Sequence, residues 1–188
     1  MNIAFDIDDT LVNNDMVTKY LAAQGYDPYK VLRNFHIRNL KITKAEAKYI
    51  HTMFSMDEMN HLKPNPNAQY VIETLSQSDI NEIFLITARG EEVKDGTINM
   101  INDHFPTILE ENIFFTAGGS KEDILKELEI DVFVEDNIEA VLELAPKMPE
   151  VKFFVLSYSE TPHNHDPIAA MDPLPNVTVV ENLIDILS

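Results

Sequence analysis

Five short apolar runs constrain this chain more than anything else in it. They are NIAFDI (2–7), EIFLIT (82–87), NIFFT (112–116), DVFVE (131–135) and VKFFVL (151–156), with a weaker sixth, VTVV (177–180). All are rich in Ile, Val and Phe, and polar and apolar residues scarcely alternate within them. A strand with one wet face alternates; a strand buried on both faces reads as a continuous apolar run. The runs therefore predict a parallel sheet covered on both sides.

What lies between them agrees. Residues 67–77 place Val71, Ile72 and Leu75 at helical spacing, and residues 91–104 do the same with Val93, Ile98 and Ile101. Ser120 precedes KEDILKELE with an acid three residues on, a capping signal, and residues 137–145 carry Ile138, Val141 and Leu142. Strand alternating with helix predicts a doubly wound α/β fold.

One interval breaks the rhythm. From Thr10 to Pro66 the patterns are helical only, and KPNPN (63–67) is a turn-rich return. The expected organisation is a core of residues 1–11 and 66–188 with a small helical cap, 12–65, inserted after strand one. An insertion at that end of a sheet overhangs the crevice where α/β proteins bind ligands.

Charge and composition narrow the partners. The net charge is −18, from 32 acidic and 14 basic residues, which repels long nucleic acids and anionic membranes. LRNFHIRNLKITK (32–44) is the locally basic segment. There is no cysteine, so disulfides, thiol catalysis and cysteine-ligated zinc are excluded. No stretch is long and apolar enough to span a bilayer, and acidic residues stand where a signal peptide needs its apolar core. The expected compartment is the cytoplasm.

Three aspartates, Asp6, Asp8 and Asp9, follow the first run at once. Packing gives no reason for them, because carboxylates are rarely buried without a partner. Thr87 closes the second run, Glu135 and Asp136 close the fourth, and Lys121 opens the helix before it. In a parallel sheet these ends share one edge. The set can hold Mg²⁺ through Asp6 with Glu135 or Asp136. One carboxylate can attack phosphorus and another can shuttle a proton. Thr87 and Lys121 can hold phosphate oxygens. Lys121 in a helix's first turn opposes the macrodipole, which favours a functional reason for it.

FDIDDT (5–10), LITAR (85–89), Lys121 and VEDN (134–137) together resemble, in order, the four motifs of the haloacid dehalogenase-like hydrolases. The resemblance implies a Rossmann-like core. It implies Asp6 as nucleophile, Asp8 as acid/base, and Mg²⁺ bound by Asp6, the Asp8 backbone carbonyl and the acid of the fourth motif. Asp9 stands where the family commonly has Gly, and the fourth motif is Glu-Asp rather than Asp-Asp, so the choice between Glu135 and Asp136 stays open. Within the family the chain is similar to the 5′(3′)-deoxyribonucleotidase-like proteins. That implies a small phosphorylated substrate, a nucleoside monophosphate first. The alternatives are another small phosphate or a nucleic-acid terminal phosphate, phosphoryl transfer, and a non-catalytic ligand-binding relative.

Other residues have plainer readings beside functional ones. Arg89 either pairs with a nearby carboxylate or faces substrate. Phe35 and His36, with Tyr20 and Tyr49, are candidates to touch substrate from the cap, against the commoner role of helical aromatics in packing. His163 and His165 form an HxH in a Pro-containing loop, where a solvated loop is the commoner reading.

Overall fold

The computed structural model describes residues 1–13, 19, 21–27, 60–157 and 172–188. Most of the expected cap, including Tyr20, Phe35, His36 and Tyr49, and the loop bearing His163 and His165, lie outside the described residues.

All six runs form strands: β1 (Asn2–Phe5), β2 (Glu82–Thr87), β3 (Ile113–Phe115), β4 (Val132–Glu135), β5 (Lys152–Leu156) and β6 (Val177–Val180). They make one sheet in the order β3-β2-β1-β4-β5-β6, and every pairing is parallel. The helices are α1 (Ala68–Ser76), α2 (Lys94–His104), α3 (Glu122–Glu127) and α4 (Ile138–Leu144). No helix among the described residues is long and apolar enough to cross a membrane.

The continuous apolar runs have the predicted cause. Ile3, Phe5, Ile83, Leu85, Val134 and Phe154 face one side of the sheet, packed with Val71 and Ile72 of α1 and Ile98 and Ile101 of α2. Ala4, Phe84, Ile86, Phe133, Phe153 and Val155 face the other, packed with Leu125 of α3 and Val141 and Leu144 of α4. Phe133 and Phe153 meet edge to face, with ring centroids 6.2 Å apart. Each such buried Val, Leu, Ile or Phe side chain contributes about 1.5–3 kcal/mol by removing apolar area from water.

Two boundaries near the site differ from the sequence reading. β1 ends at Phe5, because Ile7 turns out of the sheet and its carbonyl accepts from both Leu11 N and Val12 N, 2.9 and 3.0 Å away. α3 begins one residue later than Ser120 would cap it; Ser120 Oγ still accepts from Glu122 N at 3.2 Å. The last segment, Leu183–Leu187, is a 3₁₀ turn, closed by a reciprocal Asn182–Asp185 cap.

The segments that flank the expected insertion run side by side. Asn13 N donates to Lys63 O and Asn65 N to Leu11 O, both at 2.8 Å, with Val12 bridged antiparallel to Pro64. The returning segment also seats closely on α2: a Cβ at Gly96 would come within 2.1 Å of the Asn60 amide.

The strand order fixes where a ligand can sit. The order of strand addition reverses at the pair β1 and β4: the chain runs from β1 to β2 and β3 on one side, then to β4, β5 and β6 on the other. The crevice beyond the carboxyl ends of that pair is the switch point of a doubly wound sheet.

Candidate active site

Asp6 leaves β1 at this switch point, its N–H still donating to Val134 O at 2.9 Å, so it stands beside the end of β4. Glu135 and Asp136 follow there, and Lys121 approaches from the start of α3. Lys121 Nζ donates to Asp6 Oδ1 at 2.5 Å and to Glu135 Oε2 at 2.7 Å. Its ammonium also lies 5.3 Å from the Phe133 ring centroid. All four residues are buried.

Negative charge exceeds positive here. Burial pushes the Asp6 carboxyl up to about 7, with Glu135 and Asp8 adding to the rise and Lys121 opposing it. Burial likewise raises Glu135, against the pull of Lys121. Asp136 is raised well above its usual range by burial, then by Asp9 and Asp6. Burial pulls Lys121 down, but the charges of Asp6 and Glu135 outweigh it and leave the ammonium held above its usual range. One ammonium does not neutralise three desolvated carboxylates.

The donor set fits a hard divalent cation. Asp6, Glu135 and Asp136 each offer a carboxylate oxygen, and those atoms all lie within 4.8 Å of one another. Glu135 spends Oε2 on Lys121 and accepts from Asn137 N on Oε1 at 3.2 Å. Asp136 Oδ1 receives a long contact, 3.4 Å, from the Thr10 hydroxyl.

The loop carrying the aspartates is fastened from several sides. Asp9 N donates to Val12 O at 2.8 Å, and Asp9 itself takes φ 58°, a left-handed conformation that Asp tolerates better than most residues. The Asn65 amide donates to the carbonyls of Asp9 and Thr10, each at 3.0 Å. A residue of the turn-rich segment before α1 thus also braces the loop that leaves β1.

Asp8 is held from the end of β2. Arg89 Nε donates to Asp8 Oδ2 at 2.9 Å and Arg89 Nη2 to Asp8 Oδ1 at 2.8 Å. Its Nη1 donates to Thr97 Oγ1 on α2 at 2.9 Å. Burial lowers the guanidinium's pKa, but Asp8, by charge and hydrogen bond, and then Asp6 reverse this and leave it raised. Thr87 is fully buried, and its Oγ accepts from Arg89 N at 3.2 Å, which leaves the hydroxyl proton to donate elsewhere. The turn after β3 secures this strand end: Thr116 N, Ala117 N and Gly118 N donate to the carbonyls of Thr87, Arg89 and Ala88.

Each sequence-predicted core residue therefore lies at this edge: Asp6, Lys121, Glu135 and Asp136 in contact, Asp8 and Arg89 paired, Thr87 adjoining Arg89. Phe35 and His36 lie outside the described residues. Sequence reasoning missed Asn65 and Thr97, and gave Thr10 of FDIDDT no role of its own. Only the turn-rich KPNPN hinted at Asn65, and Thr97 carried no signal, being one polar residue on a helix.

No protein-family model matches the chain, and neither does any curated protein. Solved structures do. A haloacid dehalogenase-like hydrolase from Burkholderia xenovorans is similar with a TM-score of 0.63 at 12% identity, over 99% of this chain and 94% of that one. A hydrolase of the same family from Deinococcus radiodurans, with bound phosphate and sodium, has a TM-score of 0.61 at 13% identity, over 95% and 90%. CbbY from Rhodobacter sphaeroides, in complex with xylulose 1,5-bisphosphate, has a TM-score of 0.59 at 14% identity, over 96% and 93%. The chain has the fold of the haloacid dehalogenase-like hydrolases.

Proposed function

We propose that this protein is a Mg²⁺-dependent phosphomonoester hydrolase that works through an aspartyl-phosphate on Asp6. The observation that carries this is the pairing of Asp6 with Lys121 at 2.5 Å in a buried cluster with Glu135 and Asp136, at the sheet's switch point. A carboxylate nucleophile, an ammonium for phosphate oxygens and hard oxygen ligands are what phosphoryl transfer requires of a protein.

The residues divide the work. An Asp6 oxygen attacks phosphorus, the ester P–O bond breaks, and the Asp8 carboxyl proton passes to the leaving oxygen. The Asp8 carboxylate then takes a proton from water as that water attacks phosphorus, releasing phosphate and restoring Asp6. Lys121 and the free proton of Thr87 bind the equatorial oxygens. Asp6, an acid of the Glu135–Asp136 pair and the Asp8 backbone carbonyl would hold Mg²⁺. Bound there, the cation offsets the carboxylate crowding and the charge of the phosphate.

The first substrate class is a nucleoside monophosphate, acted on in the cytoplasm. It rests on the motif spacing and on a net charge of −18 that disfavours a polyanion. A sugar phosphate is the second reading, favoured by the fold shared with CbbY, whose structure holds a sugar bisphosphate.

The test is phosphate release from nucleoside monophosphates, sugar phosphates and an aryl phosphate, with Mg²⁺, with chelator and in Asp6→Asn. Metal-dependent release from nucleotides that is lost in the variant is expected. Release only from sugar phosphates would select the second reading, and undiminished release in Asp6→Asn would overturn the mechanism.

A further inference from the structure

Arg89 is the largest side chain fully buried in the described structure. Its side chain has 0% exposure, against 16% for its partner Asp8. All three of its nitrogens are used, two on the Asp8 oxygens and one on Thr97. Thr97 is itself oriented, since its hydroxyl donates to Val93 O at 2.8 Å and so presents only oxygen to Arg89. The donors run outward from Arg89, to Asp8 on one side and through Thr97 to the Val93 carbonyl on the other. A planar fork on both carboxylate oxygens fixes the carboxylate plane as well as its place. One lone pair on each oxygen remains outside the fork, on a side chain that solvent still reaches.

We propose that Arg89, anchored by Thr97, is the positioning residue that aims the Asp8 carboxyl at the leaving-group oxygen. The inference rests on the function proposed above. A carboxyl group just beyond a strand end is free about two torsions, and proton transfer needs it aligned with the ester oxygen. The fork removes that freedom before substrate arrives. Arg89 touches neither substrate nor phosphorus in this role; it acts through Asp8.

A buried pair with only a structural role would alter stability, or slow all substrates alike. An aiming role is selective, because an ester whose leaving group departs without a proton does not need Asp8 aimed. The test is kcat/KM for phenyl phosphate and for dinitrophenyl phosphate, with Mg²⁺, in wild type, Arg89→Met, Arg89→Lys and Thr97→Val. We expect Arg89→Met to lose about a hundredfold on phenyl phosphate and about tenfold or less on dinitrophenyl phosphate. Arg89→Lys should keep most of the phenyl phosphate defect, since one ammonium cannot grip both oxygens and Thr97. Thr97→Val leaves the fork in place and should show the same selectivity with a smaller loss, which carries the test if the Arg89 variants do not fold. Equal losses on both esters in the variants that fold would overturn the inference while leaving the proposed function intact. A wild type that releases phosphate from neither these esters nor the nucleotides and sugar phosphates above would overturn the proposed function and this inference with it.

Discussion

Replacing Asp6 with Asn should stabilise the fold while abolishing turnover, and the size of the effect should depend on pH. Asp6 is 5% exposed, and its carboxyl sits at about 7 when folded against an ordinary 3.8, burial being the main cause. Between these values the folded chain binds a proton that the unfolded chain does not. Stability therefore falls as pH rises, by about 1.4 kcal/mol per unit at most. It is fully present below about pH 4 and lost by about pH 7. Across roughly three units the cost is about 4 kcal/mol, a ceiling, because Glu135 and Asp136 share the titration. Asn resembles the protonated acid and escapes this loss. Urea unfolding in chelator at a series of pH values measures it. The variant should match wild type at about pH 4 and exceed it by about 2–4 kcal/mol at about pH 8. The large negative net charge adds its own pH dependence to both proteins and cancels in the difference. Added Mg²⁺ should flatten the wild-type profile more than the variant's, since the cation binds the ionised folded site. A difference under about 1 kcal/mol at about pH 8, or parallel profiles, would refute the claim that carboxylate crowding burdens this fold.

Two further predictions concern the scaffold. Glu122 on α3 receives Lys126 Nζ at 2.6 Å and Lys147 Nζ at 2.7 Å, and these hydrogen bonds draw its carboxyl from 4.5 down to about 2. The stability it contributes is present above the higher value and lost as pH falls to the lower one, so Glu122→Gln should weaken the fold at neutral pH and converge with wild type in an acid titration followed by circular dichroism. Glu129, exposed just past α3, has φ 49°, a left-handed conformation that costs an L side chain. Glu129→Gly should stabilise by about 1 kcal/mol in urea unfolding.

How much of this was legible in the sequence varies by residue. The runs around Phe5, Phe84 and Phe133 were visible because burial on both faces writes itself into composition, one residue after another. Asp6, Thr87, Lys121, Glu135 and Asp136 were visible because a parallel sheet brings all its carboxyl ends to one edge. Ser120 misplaced the start of α3 by one residue, since a capping signal fixes a neighbourhood and not a boundary. Arg89 had two open readings, and no local pattern could choose between them.

The sequence by itself determined the class of fold, the order of elements and the edge at which the acidic and basic groups gather. These follow from periodicity and strand polarity, which are local properties. Only the tertiary structure decided who partners whom: Lys121 between Asp6 and Glu135, Asn65 bracing the Asp9 and Thr10 carbonyls, and Thr97 holding the arginine that grips Asp8. Arg89 and Asp8 are 81 positions apart in the chain. A hydrogen bond depends on positions fixed to tenths of an ångström, and those are set by how the packed layers bring distant segments together.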